Sequence, residues 1–170
     1  MRVTNKKKYF NHYNIINNKN VVIMWDYTPI TKTTTDGGVV ETPLSSWEEY
    51  TFNHIPTLQE IQNIIIDYYN QQINNEIYND CVWKGMSVWL SLENQLNFKV
   101  IYDLTHQTNG LNLPVTVKLS GADKPIYYEF TTIEEVSDFY LTTVKFINDT
   151  LQKGRLKKDS INWEVFNKKI

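Results

Sequence analysis

The stretch VWKGMSVWLSLENQLNFKVIYDL, Val82 to Leu104, changes its hydrophobic period partway along. Around Gly85 it reads as a β-hairpin. Glycine accepts the positive φ that a tight turn demands, and Met86, Val88 and Leu90 alternate with Ser87 and Trp89 to give one apolar face. Ser91 then offers a hydroxyl as N-cap, and the pattern becomes helical through Leu92, Leu96, Val100 and Leu104. The helix is expected to end near Asn109-Gly110, where glycine can take the left-handed conformation after the last turn.

The same alternation recurs downstream. LPVTVKL and PIYYEF flank Ser120-Gly121-Ala122-Asp123-Lys124, which predicts a second hairpin with Val115, Val117 and Leu119 on one face. Thr132-Ile133-Glu134-Glu135 is a capping box that opens a helix with the stripe Ile133, Val136, Tyr140, Val144, Ile147 and Leu151, terminated at Gly154. The tail KKDSINWEVFNKKI is expected to pack back through Ile161, Trp163 and Phe166. Upstream, Thr57-Leu58-Gln59-Glu60 is another capping box, and Leu58, Ile61, Ile65 and Tyr68 follow a 3-4-3 spacing. That seam turns polar at Gln72 and Asn75, so a core-facing helix is favoured over a short oligomeric coiled coil.

The first third reads as extended. VVIMWDYTP, Val21 to Pro29, is β-branched and aromatic, with Pro29 closing it. Asp36-Gly37-Gly38 lies between Thr- and Val-rich arms, a hairpin over Ile30 to Thr42 that carries little apolar surface and must pack on something else. LSSWEEYTFNHI, between Pro43 and Pro56, reads as a linking segment or short edge strand. The fold class is therefore α+β: a β-rich N-terminal attachment arm over 1–55, then a small domain over 56–170 in which helices pack on antiparallel β-hairpins.

Composition narrows the function classes. Lys+Arg 17 against Asp+Glu 19 leaves a net charge of -2, with no global field toward nucleic acid or anionic membrane. The lone Cys81 rules out an internal disulfide and leaves open a reducing compartment or a simple buried thiol. The basic cluster Lys6, Lys7, Lys8 is not followed by the apolar run of an export signal, and no stretch of about 18 apolar residues occurs, so a soluble, non-membrane protein is expected. Roughly one residue in nine is Asn, scattered rather than clustered, a bias toward AT-rich codons more than a functional tract.

Catalytic and metal readings find little support. Cys81 with His12, His54 or His106 forms no local signature, and Asp103 three residues before His106 reads as a solvated helix-face pair. The isolated histidines and single cysteine have no metal-ligand spacing, and Glu134 and Glu135 suit a helix N-terminus. Neither a catalytic residue, a cofactor nor a metal is expected. Lys6 to Lys8 beside Tyr9, Phe10 and Tyr13 make a weak case for nucleic acid, which is disfavoured without a recognised fold. Trp25, Trp83 and Trp89 with eleven tyrosines keep carbohydrate stacking open.

Taken in order, VWKGMSVWLSLENQLNFKVIYDL, QTNGLNLPVTVKL, YYEFTTIEEVSDFY and KKDSINW resemble a family of small, uncharacterised virion-associated proteins of tailed phages and prophages of Bacteroides, crAss-like or related. They are similar, more broadly, to a phage domain of unknown function found near fibre genes. The resemblance spans about Pro56 to Trp163 and carries no catalytic residues. It implies a non-enzymatic structural protein of the virion, assembled in the host cytoplasm: a head-fibre, capsid-decoration or tail-fibre subunit contacting other capsid, fibre or tail proteins. The alternatives are a carbohydrate-binding module for host-surface glycans and a fibre-assembly chaperone. A homo-oligomer, with a trimer favoured, would use Trp25, Leu58, Ile61, Ile65, Tyr68, Trp83 and Trp89 as interface residues.

Overall fold

The computed structural model describes residues 2–5, 12–16, 20–33, 37–120 and 125–167. It has the expected α+β character, with three helices and antiparallel pairing throughout the described strands. Two compact units form: Met1–Tyr68 with Ile161–Ile170, and Tyr69–Ser160. The units therefore do not divide at the expected 55/56 boundary.

In the first unit, β1 (Arg2–Asn5), β2 (Tyr13–Ile16), β3 (Asn20–Thr33) and β4 (Val39–Phe52) make one sheet of order β1-β4-β3-β2. The Ile30–Thr42 hairpin is thus the end of two long central strands rather than a separate arm; Asp36 lies outside the described residues. Pro29 does not close β3. It pairs with Ser45 beside a register shift, where the ladder needs no proline N–H. LSSWEEYTF is not a linker but the C-terminal part of β4, and it buries Ser45, Ser46 and Glu48 along with Trp47 and Phe52.

A second register shift, between Trp25 and Thr28, leaves Asp26 at φ +54°, a bulge that turns its carboxylate toward Arg2. Arg2 bonds Asp26 (3.0 Å), Thr28 (3.1 Å), Ser46 (2.8 Å) and Glu48 (3.4 Å), so one side chain of β1 compensates two of the polar groups that β4 buries, Ser46 and Glu48.

Helix α1 (Leu58–Asn79) starts as its capping box dictates: Thr57 N–H donates to Glu60 at 2.8 Å and Glu60 N–H to the Thr57 hydroxyl at 3.3 Å. Its buried positions are Ile61, Ile65, Tyr69, Ile73 and Ile77, which include only the middle two residues of the 3-4-3 seam. Each four-residue step overshoots a turn by about 40°, so this stripe winds around the helix instead of holding a coiled-coil face. The division between units falls within α1, after Tyr68.

The second unit holds the remaining elements. β5 (Cys81–Trp83) and β6 (Met86–Val88) form the expected hairpin, its two-residue turn made by Lys84 and Gly85 at φ +47° and +76°, the type I′ pattern. Ser91 caps α2 (Leu92–Gln107), which ends before Asn109 and Gly110, both at positive φ. β7 (Val115–Lys118) pairs with β8 (Tyr127–Phe130), while residues 121–124 of the expected turn lie outside the described residues. The Trp89 N–H joins the hairpins through the Leu119 carbonyl at 2.7 Å. Thr132 caps α3 (Ile133–Asp159), although Glu135 reaches the N–H of Thr131 rather than that of Thr132.

The Leu92, Leu96, Val100 and Leu104 pattern does form a helix but stays outside the core; Phe98 and Thr105 form the buried line of α2. Two further expectations are corrected. The tail does not close the C-terminal domain. Its 3₁₀ turn, Trp163–Phe166, belongs to the first unit, where buried Phe166 meets the edge of His12 at 5.6 Å. Gly154 does not terminate α3. It lies inside the helix and buried, because a Cβ there would sit 2.2 Å from Cδ1 and 2.4 Å from Cγ1 of Ile73.

Gly154→Ala tests that close approach. Helix propensity alone would favour alanine by about 1 kcal/mol, and displacing the β-branched Ile73 costs about 1–3 kcal/mol. Denaturant unfolding is expected to show a net loss of about 1 kcal/mol, and the loss should vanish when Gly154→Ala is introduced into an Ile73→Ala background. A stabilising Gly154→Ala would refute the packing account.

Candidate docking site

The second unit is built around Trp83. Its ring lies 4.9 Å from Tyr128, 5.5 Å from Phe130 and 5.1 Å from Phe139, and its indole N–H donates to Asp138 at 2.8 Å. Phe139 in turn meets Phe98 of α2 edge-on at 4.9 Å, and Tyr102 stacks on Tyr140 at 4.4 Å. These rings decide which face of α2 turns inward. Side chains two residues from Phe98 and Tyr102 are about 160° away around the helix, so Leu96, Val100 and Leu104 are driven outward.

The result is an apolar row at four-residue spacing: Leu92, Leu96, Val100 and Leu104 are 72%, 62%, 54% and 45% exposed, with Trp89 at 40%. A solvated helix face ordinarily carries polar residues, so this row is the informative feature of the surface. Its neighbours include the amides Asn94, Gln95 and Asn97 and the exposed carboxylate of Glu93, while Lys99 and Asp103 pair with each other. Beside the row, a cavity of about 320 Å³ opens between α2 and β7, with Phe98, Ile101 and Val117 lining it and Asn97, Thr116 and Lys118 at its rim.

The hairpin that carries Trp83 is pinned by charge. Lys84 Nζ lies 4.6 Å over the Trp83 ring and donates to Glu135 (2.9 Å) and Tyr128 (3.2 Å), while the Tyr128 hydroxyl donates to Glu135 at 2.6 Å. The Tyr128 hydroxyl, then Lys84 and the Thr131 N–H, hold the Glu135 carboxyl down to about 2; the Glu135 carboxylate, with Tyr128, raises Lys84. This contact offsets the positive φ of Lys84, a conformation costing about 1–2 kcal/mol for an L-residue. It was not legible in the sequence, because Lys84, Tyr128 and Glu135 share no local spacing.

The expected interface residues separate. Ile61 and Ile65 are 1% and 0% exposed, so the seam proposed for a trimer is consumed inside the chain, with Leu58 and Tyr68 half-buried at its margin. Trp25 is buried against the edge of Tyr68 at 5.6 Å, its Nε1 without a hydrogen-bond partner among the described residues. Burial, then the charges of Asp26 and Glu48, pushes the Tyr68 hydroxyl up to about 12. Trp83 is buried, and only Trp89 of the three candidate tryptophans keeps an exposed ring.

The chemical candidates are each engaged separately. Cys81 is fully buried, its thiol pushed up to about 11 by that burial. His12 contacts the Met24 carbonyl (2.9 Å), His54 contacts Glu60 (2.9 Å) and His106 contacts the Ser137 hydroxyl (2.8 Å). Asp103 pairs with Lys99 rather than His106. Among the described residues, no group of three or more His, Cys, Asp and Glu could hold a metal, and no helix is long and apolar enough to cross a membrane. Tyr13 is buried, and Lys6 to Phe10 lie outside the described residues. No family model, curated protein or solved structure matches the chain.

The Glu135 contact has a defined pH signature. Its folded value of about 2 lies below the ordinary 4.5, so its contribution is present above 4.5 and is lost as pH falls toward 2. Glu135→Gln should therefore unfold at lower denaturant than the parent at pH 7, the gap closing between pH 4.5 and 2. A gap that persists unchanged at pH 2 would show that the substitution disturbs packing rather than removing the charge.

Proposed function

We propose that this chain is a non-enzymatic structural subunit that self-associates through α2, in the setting its sequence resemblance implies, a phage virion head-fibre, capsid-decoration or tail-fibre assembly. The observation that carries this reading is the exposed row Leu92, Leu96, Val100 and Leu104. Residues at i±4n form a ridge, and two such ridges interdigitate when helices cross at about −50°, so the row is complementary to itself on a second copy. The flanks are mostly neutral Asn and Gln, Lys99 and Asp103 pair with each other, and the remaining charge, Glu93, is exposed on the first turn beside Leu92. The contact involves one helix face, so we assign a pairwise association weaker than that of a standard interface, which buries about 800 Å² per partner. In a virion, many weak copies acting together give a stable assembly. The carbohydrate reading depends on exposed stacking faces, and burial of Trp25 and Trp83 weakens it.

Light scattering of the purified chain at tens to hundreds of micromolar is expected to show dimer in exchange with monomer. Leu92→Glu with Leu96→Glu should give monomer with an unchanged circular dichroism spectrum, because both side chains already face water. Monomer for the parent at the highest concentration would overturn the self-association. Mass spectrometry of purified phage particles from the source culture is expected to find the chain; its retention in the lysate, with none on particles, would overturn the virion assignment and favour an assembly factor.

A further inference from the structure

The open edge of β7 lies at the cavity beside α2, and its hydrogen-bonding register is defined. The Leu119 N–H donates to the Ile126 carbonyl at 2.8 Å, and the β7–β8 pairs are Val115↔Phe130, Thr116↔Glu129, Val117↔Tyr128 and Lys118↔Tyr127. In an antiparallel ladder, bonded and non-bonded pairs alternate, which makes Val115 and Val117 the residues bonded to β8. Thr116 and Lys118 therefore aim their backbone N–H and C=O away from β8. β7 has no second strand neighbour among the described residues, and both Thr116 and Lys118 line the cavity.

We propose that this groove binds an extended peptide segment of a partner protein by β-strand addition, the segment alternating apolar with polar side chains and carrying a carboxylate opposite Lys118. Backbone groups of Thr116 and Lys118, two residues apart, supply the donors and acceptors that a third strand requires. Alternate side chains of an added strand then face opposite sides of the sheet. One set meets the apolar side, where Phe98 and Val117 are buried and Ile101 is half-buried. The other set lies on the side of Thr116 and Lys118; Glu129 shares that face but stands on β8, one strand further from the added segment, and Lys118 makes no ion pair among the described residues, so the residue complementary to Lys118 is a carboxylate. A cavity of about 320 Å³ accommodates a short stretch of side chains, consistent with the four-residue length of β7. The site shares Val100 with the α2 row, whereas Leu92, Leu96 and Leu104 do not line it, so substitutions at Leu92 and Leu96 address self-association without altering the groove.

The test uses the full chain, labelled for amide-resolved NMR, and the capped peptide acetyl-Thr-Val-Glu-Val-Thr-Val-amide. Saturable shifts are expected at the Thr116 and Lys118 amides. Two forms of the peptide, N-methylated on alternate amides in one frame or the other, give the decisive comparison: the frame whose N–H groups face β7 should bind at least tenfold more weakly, and the other frame should retain affinity. Lys118→Glu should weaken the parent peptide several-fold and favour the same peptide with lysine in place of glutamate. The Leu92→Glu, Leu96→Glu protein should bind the parent peptide as well as the unsubstituted chain does, which distinguishes this site from the dimer contact. Equal binding of both methylated frames, or shifts that leave Thr116 and Lys118 unmoved, would overturn the proposal.

Discussion

The buried Trp83 ring is the contact on which the second unit depends. Three aromatic neighbours surround it, and its one polar atom is satisfied by Asp138, so a large apolar surface is removed from water without leaving an unmet donor. That position links β5, β8 and α3 at once. Phe139, held against Trp83, then sets the position of Phe98 and so the rotation of α2. The exposed leucine row follows from that rotation. A helix with two apolar stripes can bury only one against a single neighbour, and here the aromatic stripe, with the larger contact area, takes the interior.

The first unit solves a different problem. Strand β4 buries Ser45, Ser46 and Glu48 next to Trp47, a pattern that would be costly without partners. Arg2 and Tyr27 provide them, Arg2 bonding Ser46 and Glu48, and Tyr27 bonding Ser45 at 2.6 Å. The bulge at Asp26 completes the arrangement by bringing a second carboxylate to the guanidinium. A basic residue on a short edge strand thus lets a polar strand occupy the centre of a sheet.

The surface features that support docking belong to the second unit and adjoin one another. The α2 row offers side chains alone, suited to another helix, whereas the β7 edge offers backbone donors and acceptors, suited to an extended strand. Val100 borders both. Two contact chemistries on neighbouring surfaces suit a subunit that meets a like copy and an unlike partner, the situation of a component in a larger assembly.

Local chemistry in the sequence determined much of the secondary structure. Thr57 with Glu60, Ser91 and Thr132 mark helix starts because their hydroxyls reach backbone N–H groups a few residues away, and Gly85 marks a turn because its φ is positive. Such signals are complete within a few residues and need no distant partner. Tertiary structure alone decided which apolar stripe of α2 is interior, because Leu92-Leu96-Val100-Leu104 and Phe98-Ile101-Tyr102 are both periodic and only the rings of α3 distinguish them. It likewise decided that Gly154 lies within a helix, since its lack of a Cβ answers to Ile73, 81 positions away in the chain. The exposed row and the open edge of β7 are of that second kind: a sequence records which residues are apolar, but exposure is what remains after every other segment has chosen its neighbour.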